Sequence, residues 1–244
     1  MALSRLFGCV NPSPGVWRPC YEGWAMSSLF SVLLFGMVLG LHHALDADHV
    51  IAVSTISTRE RSLRAALRIA AFWGIGHALT VLLVGGSIIL FGAVVPPRLG
   101  LGLEFAVALM LMGLGVANLT GGLDRLHRAA HAHAGTAPRP RANGVLRPIG
   151  IGVVHGLAGS AAVALLVLAS VRDPALACLG LGVFVAGTLL GMVLLSALFA
   201  TTVAYAARRF ERVRFGFARA AGALSFAFGL FLAVRIGFVD GLFR

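Results

Sequence analysis

Long apolar runs, separated by short arginine-bearing segments, set the pattern of the chain. Nearly charge-free stretches extend over Ser27 to Ile56, Ile69 to Val94, Leu101 to Leu119, Ile149 to Val171, Ala175 to Tyr205 and Phe215 to Val239. A helix needs about 20 apolar residues to cross the hydrocarbon of a bilayer. The pattern therefore predicts an all-α polytopic membrane protein with about six transmembrane helices. The first run is longer than a span requires, and it alone carries a cluster of carboxylates and imidazoles.

Composition agrees with lipid as the solvent. Of 244 residues, 59% are hydrophobic, 12% are charged and 31 are glycine, a balance foreign to ordinary soluble domains. Residues 1–26 hold arginine and prolines but no useful apolar core. They read as a surface tail, neither a signal peptide nor a seventh helix. The three cysteines, Cys9, Cys20 and Cys178, form no CxxC pair and argue against a redox carrier.

The net charge of +11 first raises nucleic acid as a partner. The arginines, however, are neither gathered on one amphipathic helix nor interleaved with exposed aromatics, so no nucleic acid is expected. They sort by loop instead. Arg59, Arg61, Arg64 and Arg68 follow the first span, Arg125 to Arg147 the third, and Arg208 to Arg219 the fifth. The positive-inside rule makes that face cytoplasmic and puts both termini outside, in a multi-pass protein of the cytoplasmic (inner) membrane.

Gly121 to Arg147, with His127, His131, His133 and five arginines, separates three spans from three spans. It predicts a first three-helix repeat over 27–120, a cytoplasmic loop over 121–147 and a second three-helix repeat over 148–244. Gly40-Leu-His-His-Ala-Leu-Asp-Ala-Asp48 aligns with Gly152-Val-Val-His-Gly-Leu-Ala-Gly-Ser160, so that His43 falls on His155. Phe72-Trp-Gly-Ile-Gly76 sets more weakly against Val183-Phe-Val-Ala-Gly187. Two halves of three crossings each lie in the membrane with opposite orientation, the inverted-repeat plan of many transporters.

The chemistry lies in Leu41-His42-His43-Ala44-Leu45-Asp46-Ala47-Asp48-His49. Each aspartate placed at bilayer depth costs about 2.5 to 3.5 kcal/mol, so intramembrane carboxylates usually serve an ion or proton path. A bound cation would supply compensation, and a mixed imidazole and carboxylate set suits Ni, Co or Zn better than Mg or Ca. On a straight helix His42, Asp46 and His49 share one face. His43 and Asp48 do not share it; they either meet other spans or require a broken helix, which Gly36 and Gly40 would permit. His77 in the second span and His155 in the fourth either complete the site or hydrogen-bond to a neighbouring helix. Asn118 and Thr188 read as interhelical polar glue, and Glu104 and Asp173 as interfacial charges. The candidate metal ligands are thus His42, His43, Asp46, Asp48, His49, His77 and His155.

His43-Ala-Leu-Asp-Ala-Asp-His49 resembles the signature of the nickel/cobalt transporter family, a His, four residues and then Asp-His within a membrane helix. Phe72-Trp-Gly-Ile-Gly-His77 resembles that family's second element. The resemblance implies metal-binding roles for His43, Asp48, His49 and His77, with Asp46 in the same motif. The larger members carry Arg where this chain has His42, and have eight helices. The chain is more similar to the short six-helix permeases, including those associated with urease maturation. The function implied is transport of Ni²⁺ and/or Co²⁺ as cargo, with no permanently bound cofactor. A metallochaperone or energising partner would assist, since the chain has no Lys and no phosphate-binding loop. Two alternatives stand beside it: a six-helix exporter of a small organic or sulfur-containing solute, and a nickel-binding accessory protein that transports nothing. No nucleophile or HExxH element accompanies the His and Asp groups, so no enzyme is expected.

Overall fold

A computed structural model describes residues 21–58, 62–120, 143–157, 171, 173–209 and 211–244, and no strand occurs among them. The helices are α1 (Tyr21–His43), α2 (Ala47–Ser57), α3 (Leu63–Phe91), α4 (Pro97–Leu119), α5 (Asn143–Gly156), α6 (Pro174–Arg209) and α7 (Glu211–Val234). The last runs into a π-helical turn, Arg235–Val239. Several ends have a local cause. The Ser62 hydroxyl oxygen accepts from the Ala65 N–H at 3.2 Å to open α3, and Gly92, at φ +63°, closes it in the left-handed region open to glycine. Prolines 96 and 97 start α4. The Asp173 carboxylate accepts from the Ala175 N–H at 2.8 Å before α6, a capping duty for a residue expected to be only an interfacial charge.

Helices α3, α4, α6 and α7 are each long and apolar enough to cross a membrane. The bent pair α1 and α2 makes a fifth crossing when counted as one span. Phe30, Phe35, Leu83, Leu198 and Phe231 point outward, a surface suited to acyl chains rather than water. The protein is an all-α, multi-pass membrane protein. Of the fourth expected span only residues 149–157, within and just after the 14-residue α5, and Val171 are described; residues 158–170 lie outside the described residues, as do the loop histidines His127, His131 and His133. The helices start earlier than the charge-free runs. α1 begins at Tyr21 rather than Ser27, and α5 at Asn143, inside the expected 121–147 loop. Helical hydrogen bonding continues into the charged flanks of the apolar runs, with Arg64 and Arg68 on the first turns of α3, where long side chains can reach the headgroups.

Glycines bring the helices into backbone contact. On α1 and α6, a Cβ at Gly40 would fall on the carbonyl oxygen of Phe184, and one at Gly187 would lie 2.8 Å from the Met37 oxygen. On α3 and α5, a Cβ at Gly152 would fall on the Trp73 oxygen, and one at Gly76 on the Ile149 oxygen. The registers show that α1 runs parallel to α6 and α3 parallel to α5. Gly74 packs on Leu189 while Val81 clusters with Leu181, Phe184 and Val185, so α3 and α6 are antiparallel. It follows that α1 and α5 point in opposite directions. α4 and α7 pack antiparallel, with Gly115 against the Gly222 oxygen and Gly229 against the Ala108 oxygen.

Hydroxyls and an amide then tie α2 to the α4 and α7 pair. Asn118 Nδ2 donates to the Ala218 carbonyl at 2.8 Å and the Thr55 carbonyl at 3.3 Å. Thr55 Oγ1 donates to the Ala221 carbonyl at 3.2 Å, and Ser225 Oγ to the Leu111 carbonyl at 2.8 Å. Such bonds inside membranes contribute about 0.6 kcal/mol on average and at most about 1.7. Asn118→Ala is expected to lower the thermal midpoint of the detergent-solubilised protein by a few degrees, more than the exposed Thr120→Ala.

Candidate metal centre

The site is created by a break in the first span. α1 stops at His43, residues 44–46 turn, and α2 leaves at 58° to the preceding segment. Within the turn the Leu45 N–H reaches only to the His42 carbonyl, at 2.9 Å, and Asp46 adopts an extended conformation (φ −58°, ψ 145°). Its carboxylate does not cap α2. It turns back to His43, with Oδ2 2.9 Å from Nδ1. Asp48 occupies the first turn of α2, where the positive end of the helix dipole favours a carboxylate, and its Oδ1 accepts the backbone N–H of His49 at 3.0 Å.

The break corrects the straight-helix reading, in which His42, Asp46 and His49 share one face. Instead the rings of His43 and His49 lie 4.6 Å apart, while His42 is exposed and joins neither ligand set. His77 from α3 comes within 5.4 Å of His43 and 5.1 Å of His49, and His155 from α5 within 4.2 Å of His49, all between ring centroids. Two sets of potential donor atoms result, each within 4.8 Å: His43, His49 and His77; and Asp48, His49 and His155. Asp46 belongs to neither. The imidazoles are almost completely buried, His49 and His155 at 0% exposure.

The donors fit a transition-metal cation. Buried Nε2 of His43 and His49, both nitrogens of His77 and Nδ1 of His155 have no hydrogen-bond partner among the described residues. Unpaired buried polar atoms are costly, and a cation accepting their lone pairs would remove that cost. Asp48 spans two rings, with Oδ1 3.2 Å from His49 Nδ1 and Oδ2 3.3 Å from His155 Nε2. The second contact is within ion-pair reach but does not meet hydrogen-bond geometry, for Nε2 of His155 is also unpartnered. In addition α1 and α5, arriving from opposite directions, both end beside the cluster, and the partial negative charge of a helix C-terminus suits a cation.

Carboxylates on Nδ1 of His43 and His49 leave each Nε2 pointing its lone pair elsewhere, the arrangement by which outer carboxylates orient metal-binding imidazoles. Asp46 is thus a positioning residue for His43. Asp46→Asn is expected to weaken nickel binding by about 10-fold to 100-fold, as measured by calorimetry in detergent. Walls around the cluster went unnoticed in the sequence: Trp73 stacks at 6.1 Å on His49 and edge-on at 5.4 Å to His155, and Phe184 lies 5.4 Å from His43. The signal for them was present, since Trp73 and Phe184 occupy matching positions in the two aligned segments.

Fold and site together define a class: a polytopic helical membrane protein with a buried imidazole and carboxylate cluster suited to a transition-metal cation. Comparison with known proteins narrows this. The chain is 35% identical to the urease accessory protein UreH of Bacillus sp. (strain TB-90) over 221 residues, which cover 88% of this chain and 96% of that protein. It belongs to the UreH family, the urease-associated branch of the nickel/cobalt transporter family that its motifs resemble. No protein-family model matches the chain, and no solved structure matches it.

Proposed function

We propose that this protein carries a divalent transition metal, Ni²⁺ in the first place and Co²⁺ as a second cargo, across the cytoplasmic membrane through the cluster formed by His43, Asp48, His49, His77 and His155. The observation that carries the reading is the convergence, at the break of the first span, of four buried imidazoles and a carboxylate from four helices, α1, α2, α3 and α5. Soft-to-borderline nitrogen donors select such ions over Mg²⁺ and Ca²⁺. The urease connection of the relative favours nickel.

Transport then follows the inverted-repeat plan. The halves 27–120 and 148–244 are the repeats, supported by the matched contacts of Gly40 with Phe184 and Gly152 with Trp73, and of Gly187 with Met37 and Gly76 with Ile149. Rocking of one half against the other around the midplane site would open it to each side in turn. Metal binding requires neutral imidazoles and ionised carboxylates, so protonation on the receiving side promotes release. The membrane potential and ion gradients, or a partner, supply the driving force.

The test is radiolabelled nickel flux into liposomes carrying the purified protein, with cobalt as competitor. Saturable flux that cobalt reduces and that His43→Ala removes is the expected result. Folded protein that binds nickel yet moves none would replace the reading with a non-transporting accessory role, the alternative that the relative's own description keeps open.

A further inference from the structure

The two ligand sets are not equivalent, and they share one residue. His43, His49 and His77 offer three neutral nitrogens, whereas Asp48, His49 and His155 offer two nitrogens and a negatively charged oxygen. His49 stands between them. Its Nδ1 is 3.2 Å from Asp48, and its Nε2 has no partner among the described residues. Two nitrogens on different edges of one fixed ring allow an ion to be held on either edge.

Asp48 has two roles that exclude one another. While Oδ1 lies on His49 Nδ1, the carboxylate orients that ring and leaves Nε2 free for the all-nitrogen set, with Asp46 doing the same for His43. For an ion to occupy the second set, Asp48 must give up His49 Nδ1 and turn its oxygens to the ion beside His155. The second set also draws on α5, whereas the first uses only α1, α2 and α3. Occupancy of the second set therefore depends on how the two halves of the molecule sit together.

Resting on the transport reading above, we propose that the two sets are successive stations on one path: the ion leaves His49 Nε2 as Asp48 and His155 take it up and then binds His49 Nδ1. The ring keeps one proton throughout, on Nδ1 at the first station and on Nε2 at the second. Uptake by Asp48 and His155 before His43 and His77 have both let go keeps the cation from being stripped to bare charge in a low-dielectric interior, which would carry a large desolvation cost. The neutral station holds the ion within one half, and the anionic station spans both. Each station binds by itself, but net movement needs both.

The experiment uses the full chain in detergent and in liposomes, with His77→Gln damaging the first station and His155→Gln the second. Nickel binding is measured by calorimetry, the ligand shell by X-ray absorption and net movement by nickel flux. Each variant is expected to retain one bound nickel, at the station it leaves intact, and to lose flux at least 100-fold. The ligand shell is the decisive readout, because a general structural defect would not sort it. In His155→Gln the remaining ion shows three imidazoles and no carboxylate, and in His77→Gln it shows a carboxylate. Flux within 10-fold of wild type in either variant, or the same ligand shell in both, overturns the two-station path while leaving nickel transport by the wild type standing. Absence of wild-type flux, by contrast, removes the transport reading itself.

Discussion

Replacing His49 with alanine is expected to abolish nickel binding and flux together. His49 is the one donor common to both ligand sets, is fully buried, and lies within 4.2 to 5.1 Å, ring to ring, of His43, His77 and His155. Loss of an outer-shell partner alone costs about 10-fold to 100-fold in metal affinity, so loss of a shared ligand exceeds that. His42→Ala is the matching control, because its ring is exposed and outside both sets. Calorimetry on the two purified variants separates them. Binding in His49→Ala within 10-fold of wild type would move the metal centre elsewhere in the chain.

The second large effect concerns backbone contact. Gly40→Val and Gly152→Val place a branched side chain where α1 meets the Phe184 carbonyl and where α5 meets the Trp73 carbonyl. Overpacking against side chains costs about 1 to 3 kcal/mol. Here the obstacle is backbone, which has no rotamer to change, so the helices must separate and the cluster between them opens. Both variants are expected to lose the monodisperse elution peak in detergent and all flux. Gly86→Ala and Gly113→Ala, with nothing within 4 Å of the added carbon, are expected to keep the peak and to gain slightly from the better helix propensity of alanine. Normal elution of Gly40→Val would refute the close approach of α1 and α6.

Much of this was legible in the sequence, and for physical reasons. Lipid demands long apolar helices, so the runs found them, and the cost of Asp46 and Asp48 at bilayer depth marked the segment around which the buried imidazoles gather. His155 was found by its match to His43, because a repeated backbone contact needs a repeated glycine, here Gly40 and Gly152. What failed was direction. A helical wheel assumes a straight axis, and the turn at 44–46 voids it, sending His42 outward and bringing His43 to His49. The role of Asp46 was hidden for the same reason. Its carboxylate faces His43 only because it leaves the N-terminus of α2 uncapped. Trp73 was hidden because a hydrophobic ring beside a ligand looks like any other core residue until a structure shows what it touches.

The matched halves are unequal where it matters. At the position of His77 in the aligned segments the second half has Thr188, whose hydroxyl is already spent on the Phe184 carbonyl at 3.0 Å, and where the first half has Asp48 the second has Ser160. Swapping the conformations of two identical halves would yield a mirror state of equal energy, a carrier indifferent to which side it faces. With four of five candidate donors on one half, such a swap would not be neutral. On the transport reading, the two faces of the membrane would present different affinities to the ion, and the preferred resting orientation would be written into the composition of the halves before any gradient acts.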